Sequence, residues 1–167
     1  MTEQPRWASR IVGHGEEDPT QLLANPRNPR RHPAPQRNAL RGSLSTVGWV
    51  ATVTVNRRTG FVLDGHARIE EAISRGEPTV PVTYVDLSED EERLVLASLD
   101  PITAMAEYDH EALDELLRDL HAGDAGLDAL LDSLRVPDFL PVSVDEQGRL
   151  DQRAAVTCPE CGHVFTP

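Results

Sequence analysis

The chain has 167 residues, 39% hydrophobic and 4% aromatic, enough for one domain of moderate size with appendages around a core of Leu, Val, Ala and Ile. No apolar run approaches membrane-spanning length and the N-terminus lacks the charged-then-apolar layout of a signal peptide, so a cytoplasmic protein is expected. The net charge of −12 argues against a nucleic-acid binder over its whole surface, yet residues 1–68 carry ten Arg against five acids and the remainder six Arg against twenty-three acids, with no Lys anywhere.

Taken in order, residues 7–12 read as a short first strand and residues 13–18 as a polar turn. The stretch Asn25-Pro26-Arg27-Asn28-Pro29-Arg30-Arg31-His32-Pro33 cannot form a regular helix, because its prolines force an extended or turning backbone. Asn25, Arg27, Arg30, Arg31 and His32 are therefore displayed on a stiffened loop, which is either a solvated connection or the wall of a ligand site. Residues 35–47 predict a helix with Pro in its first turn, Leu40, Leu44 and Val47 on one face, and Gly48 as its stop. Residues 50–56 alternate as a strand does, and Arg57-Arg58-Thr59-Gly60 connects them to a second strand, Phe61-Val62-Leu63-Asp64.

Gly65-His66-Ala67-Arg68 follows at once, opening a helical pattern with Ile69, Ala72 and Ile73 on one face and Gly76 at its end. A strand running through a tight Gly turn into a helix points the first unpaired N–H groups at the space beyond the strand, a place that favours an anion. Arg68 would add a bidentate contact to phosphate, and His66 stands where a phosphate donor or a general base would be useful. An ordinary connection with Arg68 in a surface ion pair is the competing reading of the same residues.

Residues 79–85 form the next predicted strand, with Pro81 indicating that it begins at an edge. Ser88 and Glu91 make a capping box for a helix expected to reach Ser98 and to break at Asp100-Pro101. Asp109 caps a helix with Leu113, Leu116, Leu117 and Leu120 at helical spacing, and Leu127, Leu130, Leu131 and Leu134 mark a last one. These Leu stripes read as core or helix-pairing surface, and the acidic run 89–92 reads as a solvated face. Residues 136–152 read as a linker. The tail Cys158-Pro159-Glu160-Cys161-Gly162-His163 is one knuckle of a zinc ribbon, with Cys158, Cys161 and His163 as three ligands and a fourth needed from elsewhere, a second chain or water.

With these pieces in order, residues 7–110 resemble the ParB/sulfiredoxin-like superfamily. The resemblance rests on Asn25-Pro26-Arg27 before the first helix, residues 43–48 leading into a strand, the Leu63-Asp64-Gly65-His66-Ala67-Arg68 turn, and the strand ending at Tyr84-Val85-Asp86. Leu99-Asp100-Pro101 and the Asp-Gly-His-x-Arg turn are similar to the ParB-like proteins of phages and of DNA-methyltransferase neighbourhoods. His66 stands where sulfiredoxins carry their catalytic Cys, so sulfinic-acid repair by that route is not expected. Partition ParB proteins usually have Gly-Glu-Arg-Arg at the turn and a later Glu-Asn-x-x-Arg segment. Here residues 99–103 lack that Asn and Arg, and no helix-turn-helix follows, so CTP-gated clamping on DNA is not expected.

The resemblance implies an α/β (α+β) fold, a small mixed sheet with helices over residues 1–108, to which the residue patterns add a helical extension at 109–135, the linker at 136–152 and a zinc-knuckle tail at 153–167. It implies phosphate or nucleotide binding by Gly65, His66 and Arg68, walled by Asn25, Arg27 and Arg30, in DNA processing or modification. If hydrolysis occurs, His66 is the candidate acid/base and Asp64 its orienting group or a ligand for Mg or Mn, as in a nuclease or an NTPase. Zn in the tail, a nucleotide or DNA, a homodimer and a methyltransferase are the expected cofactors and partners. The alternative is a non-enzymatic adaptor whose acidic C-terminal half binds a DNA-modifying protein such as a methyltransferase.

Overall fold

In a computed structural model, the structure describes residues 6–135 and 156–165. Two compact units are present, Met1–Val136 and Pro137–Pro167. The first is a mixed α/β unit built on a four-stranded sheet of order β1-β4-β2-β3, and the linker expected at 136–152 lies outside the described residues. No helix among the described residues is long and apolar enough to cross a membrane.

The sheet strands are β1 (Ile11–Glu17), β2 (Val53–Asn56), β3 (Val62–Asp64) and β4 (Val80–Val85). β2 and β3 form an antiparallel hairpin, and β2 runs parallel to β4. α2 (His66–Arg75) makes the crossover from β3 to β4 and lays Ile69 and Ala72 on Val53, Val55, Val62, Val80 and Val82. Leu63, Leu87 and Leu96 form a second apolar cluster that ties β3 to α3 (Glu89–Ala104). Burial of Val and Ile side chains of this size contributes roughly 1.5–3 kcal/mol each.

Several elements differ from the sequence-based expectation. The polar stretch expected as a turn at 13–18 is most of β1, paired antiparallel with β4 from Ile11 opposite Val85 to Glu17 opposite Val80. Cross-strand pairing there overrides two glycines and a His. β4 is an interior strand in spite of Pro81. Its parallel ladder to β2 begins only at Val82 opposite Val53, so Pro81 is asked for no N–H on that side. α3 runs through Pro101 to Ala104, and Met105 N–H returns to the Pro101 carbonyl at 3.1 Å, so the ladder resumes after the missing proline N–H.

α1 (Ala34–Thr46) and α5 (Ala125–Leu134) pack together, with α4 (His110–Leu117) between α3 and α5 in sequence. Glycines make that helix pair possible. A Cβ on Gly126 would lie 2.8 Å from the Asn38 backbone carbonyl, and one on Gly42 would collide with the Asp124 carboxylate that caps α5. The Leu stripes are less buried than their spacing suggests: Leu117 is enclosed, but Leu116, Leu120 and Leu130 are exposed, as is Ile73 on α2.

Gly126→Ala should therefore destabilise the protein by about 1–3 kcal/mol, because its neighbour is backbone and cannot move aside. Gly13→Ala, where an added Cβ meets nothing within 4 Å, is the matched control and should stay within about 0.5 kcal/mol. Urea unfolding of the two variants beside the parent checks this.

Candidate functional site

The β3–α2 turn has the conformation its residues suggest. Gly65 sits at the helix N-cap with φ 97° and ψ 15°, where a Cβ would meet Val53 at 3.2 Å. A glycine has no side chain to cap with, and no acidic residue lies in the first turn. Ile69 N–H reaches the Gly65 carbonyl at 3.0 Å, whereas the N–H groups of His66, Ala67 and Arg68 find no acceptor among the described residues. They carry the positive end of the α2 dipole.

Next to them is a cavity of about 280 Å³, lined by the turn, by Arg30 and His32 from the Asn-Pro loop, and by α1. Both arginines at its wall are held by carboxylates. Arg68 Nη2 donates to Asp64 Oδ2 at 2.6 Å and its Nη1 to the Ala51 carbonyl at 3.3 Å. Arg30 Nη1 lies 3.4 Å from Asp64 Oδ1, and its Nε pairs with Asp100 of α3. Arg30 Nη2 and His32 Nε2 are buried and have no partner among the described residues. Two cations against two anions leave the wall near neutrality, with guanidinium donors and helix N–H groups aimed into one space.

His66 is buried at the first position of α2, and its Nε2 accepts the Asn25 N–H at 3.4 Å. Burial, then Arg30 and His32 nearby, lower its pKa from 6.5, so the ring is neutral near pH 7. With Nε2 accepting, the proton rests on Nδ1. The ring is thus arranged as a donor; to act as a base through Nε2 it would have to leave Asn25.

The loop is anchored by a residue that sequence reading placed on a solvated face. Glu92 is only 3% exposed and accepts Asn25 Nδ2 at 2.9 Å, Asn56 Nδ2 at 2.7 Å and Thr59 Oγ1 at 2.6 Å. Burial by itself would raise its pKa, but the bonds from Thr59, Asn56 and Asn25 outweigh it and the net shift is downward. Asn25 Oδ1 accepts the Arg27 N–H at 3.0 Å, so its side chain is spent on holding the loop. Arg27 lines a different cavity, beside Thr59 and Glu89, and does not join Arg30 and Arg68. The structure therefore gathers Asp64, Gly65, His66, Arg68 and Arg30, sets Asn25 behind them and places Arg27 elsewhere. Asp100 and Glu92 were missed as site residues. Helical spacing from the Ser88 cap puts Glu92 on the side of Leu96, and that was the one available signal.

The zinc expected in the tail finds no support. β5 (Val156–Thr157) and β6 (Val164–Phe165) form a short antiparallel pair around the Cys-Pro-Glu-Cys turn. His163 contributes its carbonyl to the Cys158 N–H at 2.9 Å, and among the described residues no group of three or more His, Cys, Asp or Glu gathers as a metal site. Two thiols fall short of the four ligands zinc takes, so zinc is not supported.

The lowered His66 pKa has a consequence for stability. As pH falls through about 6.5 the unfolded chain takes up this proton before the folded one does, so the contribution of His66 is full above that pH and is lost on acidification. The thermal midpoint should fall between pH 7.5 and 5.5, and His66→Gln should flatten that slope. Glu91 and Glu92, whose pKa values lie below 4.5, act at lower pH.

No family model matches the chain, and no curated protein is similar to it. Among solved structures it is similar to the C-terminally truncated chromosome-partitioning protein ParB from Caulobacter crescentus complexed with CTP-γ-S, at 24% identity and a TM-score of 0.49 over 64% of this chain and 61% of that one. It is also similar to two structures of a pNOB8-like ParB N-domain, each at 16% identity, with TM-scores of 0.48 and 0.47. Those cover 95% and 97% of this chain and 59% and 56% of their own. The chain thus spans 56–61% of the length of the solved chains it matches. Its structural neighbours are ParB and ParB N-domain structures.

Proposed function

We propose that the cavity at the start of α2 binds the phosphate of a nucleotide or of a nucleic-acid backbone, and that the protein acts in DNA processing or modification. One observation carries this reading: three unpaired N–H groups at the positive end of α2 open onto a cavity of about 280 Å³ walled by Arg30 and Arg68. A phosphate carries up to about two negative charges and three acceptor oxygens, so it can take the guanidinium donors from Asp64 and Asp100, each a single charge. The carboxylates hold both arginines in place. His66 Nδ1 is a neutral donor suited to the same ligand. Arg27 would serve a longer ligand, outside this cavity.

The geometry favours binding over chemistry. Asp64 is shared by two arginines and His66 Nε2 is occupied, so neither is poised as a base. A nuclease or NTPase reaction would require Mg or Mn that arrives with the phosphate and uses Asp64 or Asp100 as one or two carboxylate ligands, the way Mg²⁺ is commonly held. The second reading is an adaptor for a DNA-modifying partner such as a methyltransferase, or a homodimer. It is favoured by the exposed apolar side chains Leu94, Ile102, Met105, Tyr108 and Leu116 on and beside α3 and α4.

Arg68→Ala should weaken binding of a nucleotide or short DNA by about 10–100-fold, the loss of charge-assisted bonds worth roughly 1.5–3 kcal/mol. Titration calorimetry on folded protein measures it; unchanged affinity would leave the adaptor reading. For catalysis, the parent and His66→Ala are incubated with DNA and nucleoside triphosphates plus Mg²⁺ or Mn²⁺. Turnover by the parent and at least about a hundredfold loss in the variant is the result expected of an acid/base. Equal or absent turnover in both removes the enzyme reading.

A further inference from the structure

A second cavity, of about 510 Å³, lies between α1, Trp49 and the second half of α2. Leu44 lines it and also the cavity at the start of α2, so the two are neighbours with separate polar groups. Its chemistry centres on Glu71. That side chain is 6% exposed, lines the cavity and receives one hydrogen bond, from Arg41 Nε to Oε2 at 2.7 Å. Its Oε1 has no partner among the described residues. Ile69 and Ala72 of the same helix serve the core, whereas the Glu71 carboxylate lines the cavity and keeps one oxygen accessible to a further donor. Across from it stands the indole of Trp49, half-buried against the core. At the rim are the guanidiniums of Arg41 and Arg75, both more than half exposed.

We propose that this cavity is a binding site for a guanine base, with Glu71 accepting hydrogen bonds from its Watson–Crick edge. Guanine presents N1–H and N2–H side by side, two parallel donors that match the two oxygens of a carboxylate. Cytosine and adenine each place a ring-nitrogen acceptor beside their amino donor, which would face one of those oxygens and be repelled. Trp49 supplies an aromatic surface for the ring, and base–aromatic stacking is worth roughly 1–3 kcal/mol per base. Arg41 and Arg75 at the mouth, paired with Glu71 and Glu77, would turn to the phosphate that follows the sugar. A guanidinium guest would also meet Trp49 and Glu71, and the Arg41–Glu71 and Arg75–Glu77 pairs leave the wall near neutrality, so free arginine is the competitor that the test includes. The volume falls in the range of small-ligand sites, about 300–1,000 Å³. The site stands apart from Arg68 and the α2 N-terminus, so it holds or fails independently of the phosphate site.

The test uses guanosine, adenosine and cytidine 5′-monophosphates with the full chain, by calorimetry and by quenching of Trp49 fluorescence in a Trp7→Phe background, Trp7 and Trp49 being the two tryptophans. Guanosine monophosphate should bind at least about tenfold tighter than the other two and quench Trp49, as expected of a site whose buried acceptor goes unpaired with the wrong base. Glu71→Gln should erase that preference with the thermal midpoint retained. Ser74→Phe, which fills the mouth from an exposed position, should abolish the binding even if Glu71→Gln fails to fold. Arg68→Ala should keep the preference. The proposal is overturned by equal affinity for the three nucleotides, by no binding at a few millimolar, by free arginine binding in their place, or by a preference that Arg68→Ala removes and Ser74→Phe leaves.

Discussion

The buried Glu92 carboxylate is the constraint on which the rest of this structure depends. It draws together the Asn-Pro loop through Asn25, the end of β2 through Asn56 and the β2–β3 turn through Thr59. Asn56 extends the set, since its Oδ1 accepts Leu87 N–H and its Nδ2 donates to the Leu87 carbonyl. Removing a carboxylate from water costs several kcal/mol, and three charge-assisted hydrogen bonds at roughly 1.5–3 kcal/mol each are of the size needed to offset it. The downward shift of its pKa says that the bonds win. A polar knot of this kind specifies one arrangement, because each member left unpaired would carry its own penalty.

The candidate phosphate site inherits its geometry from that knot. Glu92 holds Asn25, Asn25 N–H holds His66 Nε2, and His66 begins α2. The same loop, five residues on, places Arg30 between Asp64 of β3 and Asp100 of α3. The loop's stiffness comes from its prolines, but its position comes from Glu92. The candidate site is therefore organised in advance, with Arg30 and Arg68 held by Asp64 and Asp100 beside the first turn of α2.

Local features were legible in the chain. Gly65 before a helical pattern predicts the turn, and it is there with positive φ. Ser88 and Glu91 predict a capping box, and both of its bonds form. Gly76 ends α2 as expected. The β2–β3 hairpin and the grouping of Asp64, Gly65, His66 and Arg68 follow from residues adjacent in sequence. The misses share a different character. The residues of β1 beyond Val12 read as a turn because they are poor strand formers, and only pairing with β4, more than sixty residues away, makes them a strand. Pro81 looked like an edge signal because nothing in its neighbourhood tells that the β2 ladder starts one residue later.

The sequence by itself determined the turn, the caps, the stiffened loop and the arginine-rich first part of the chain, all of which follow from bond rotation, hydrogen-bonding capacity and charge within a few residues. Only the tertiary structure decided that Arg30 reaches Asp64 and Asp100 while Arg27 faces another cavity. It alone decided that one glutamate of an acidic run is buried among Asn25, Asn56 and Thr59 while Glu71 is enclosed beside Trp49. It likewise left His163 offering a carbonyl in the Cys158–Cys161 turn. The physical reason is that burial and partner choice are set by contacts between segments tens of residues apart, and no local pattern encodes which segment will arrive.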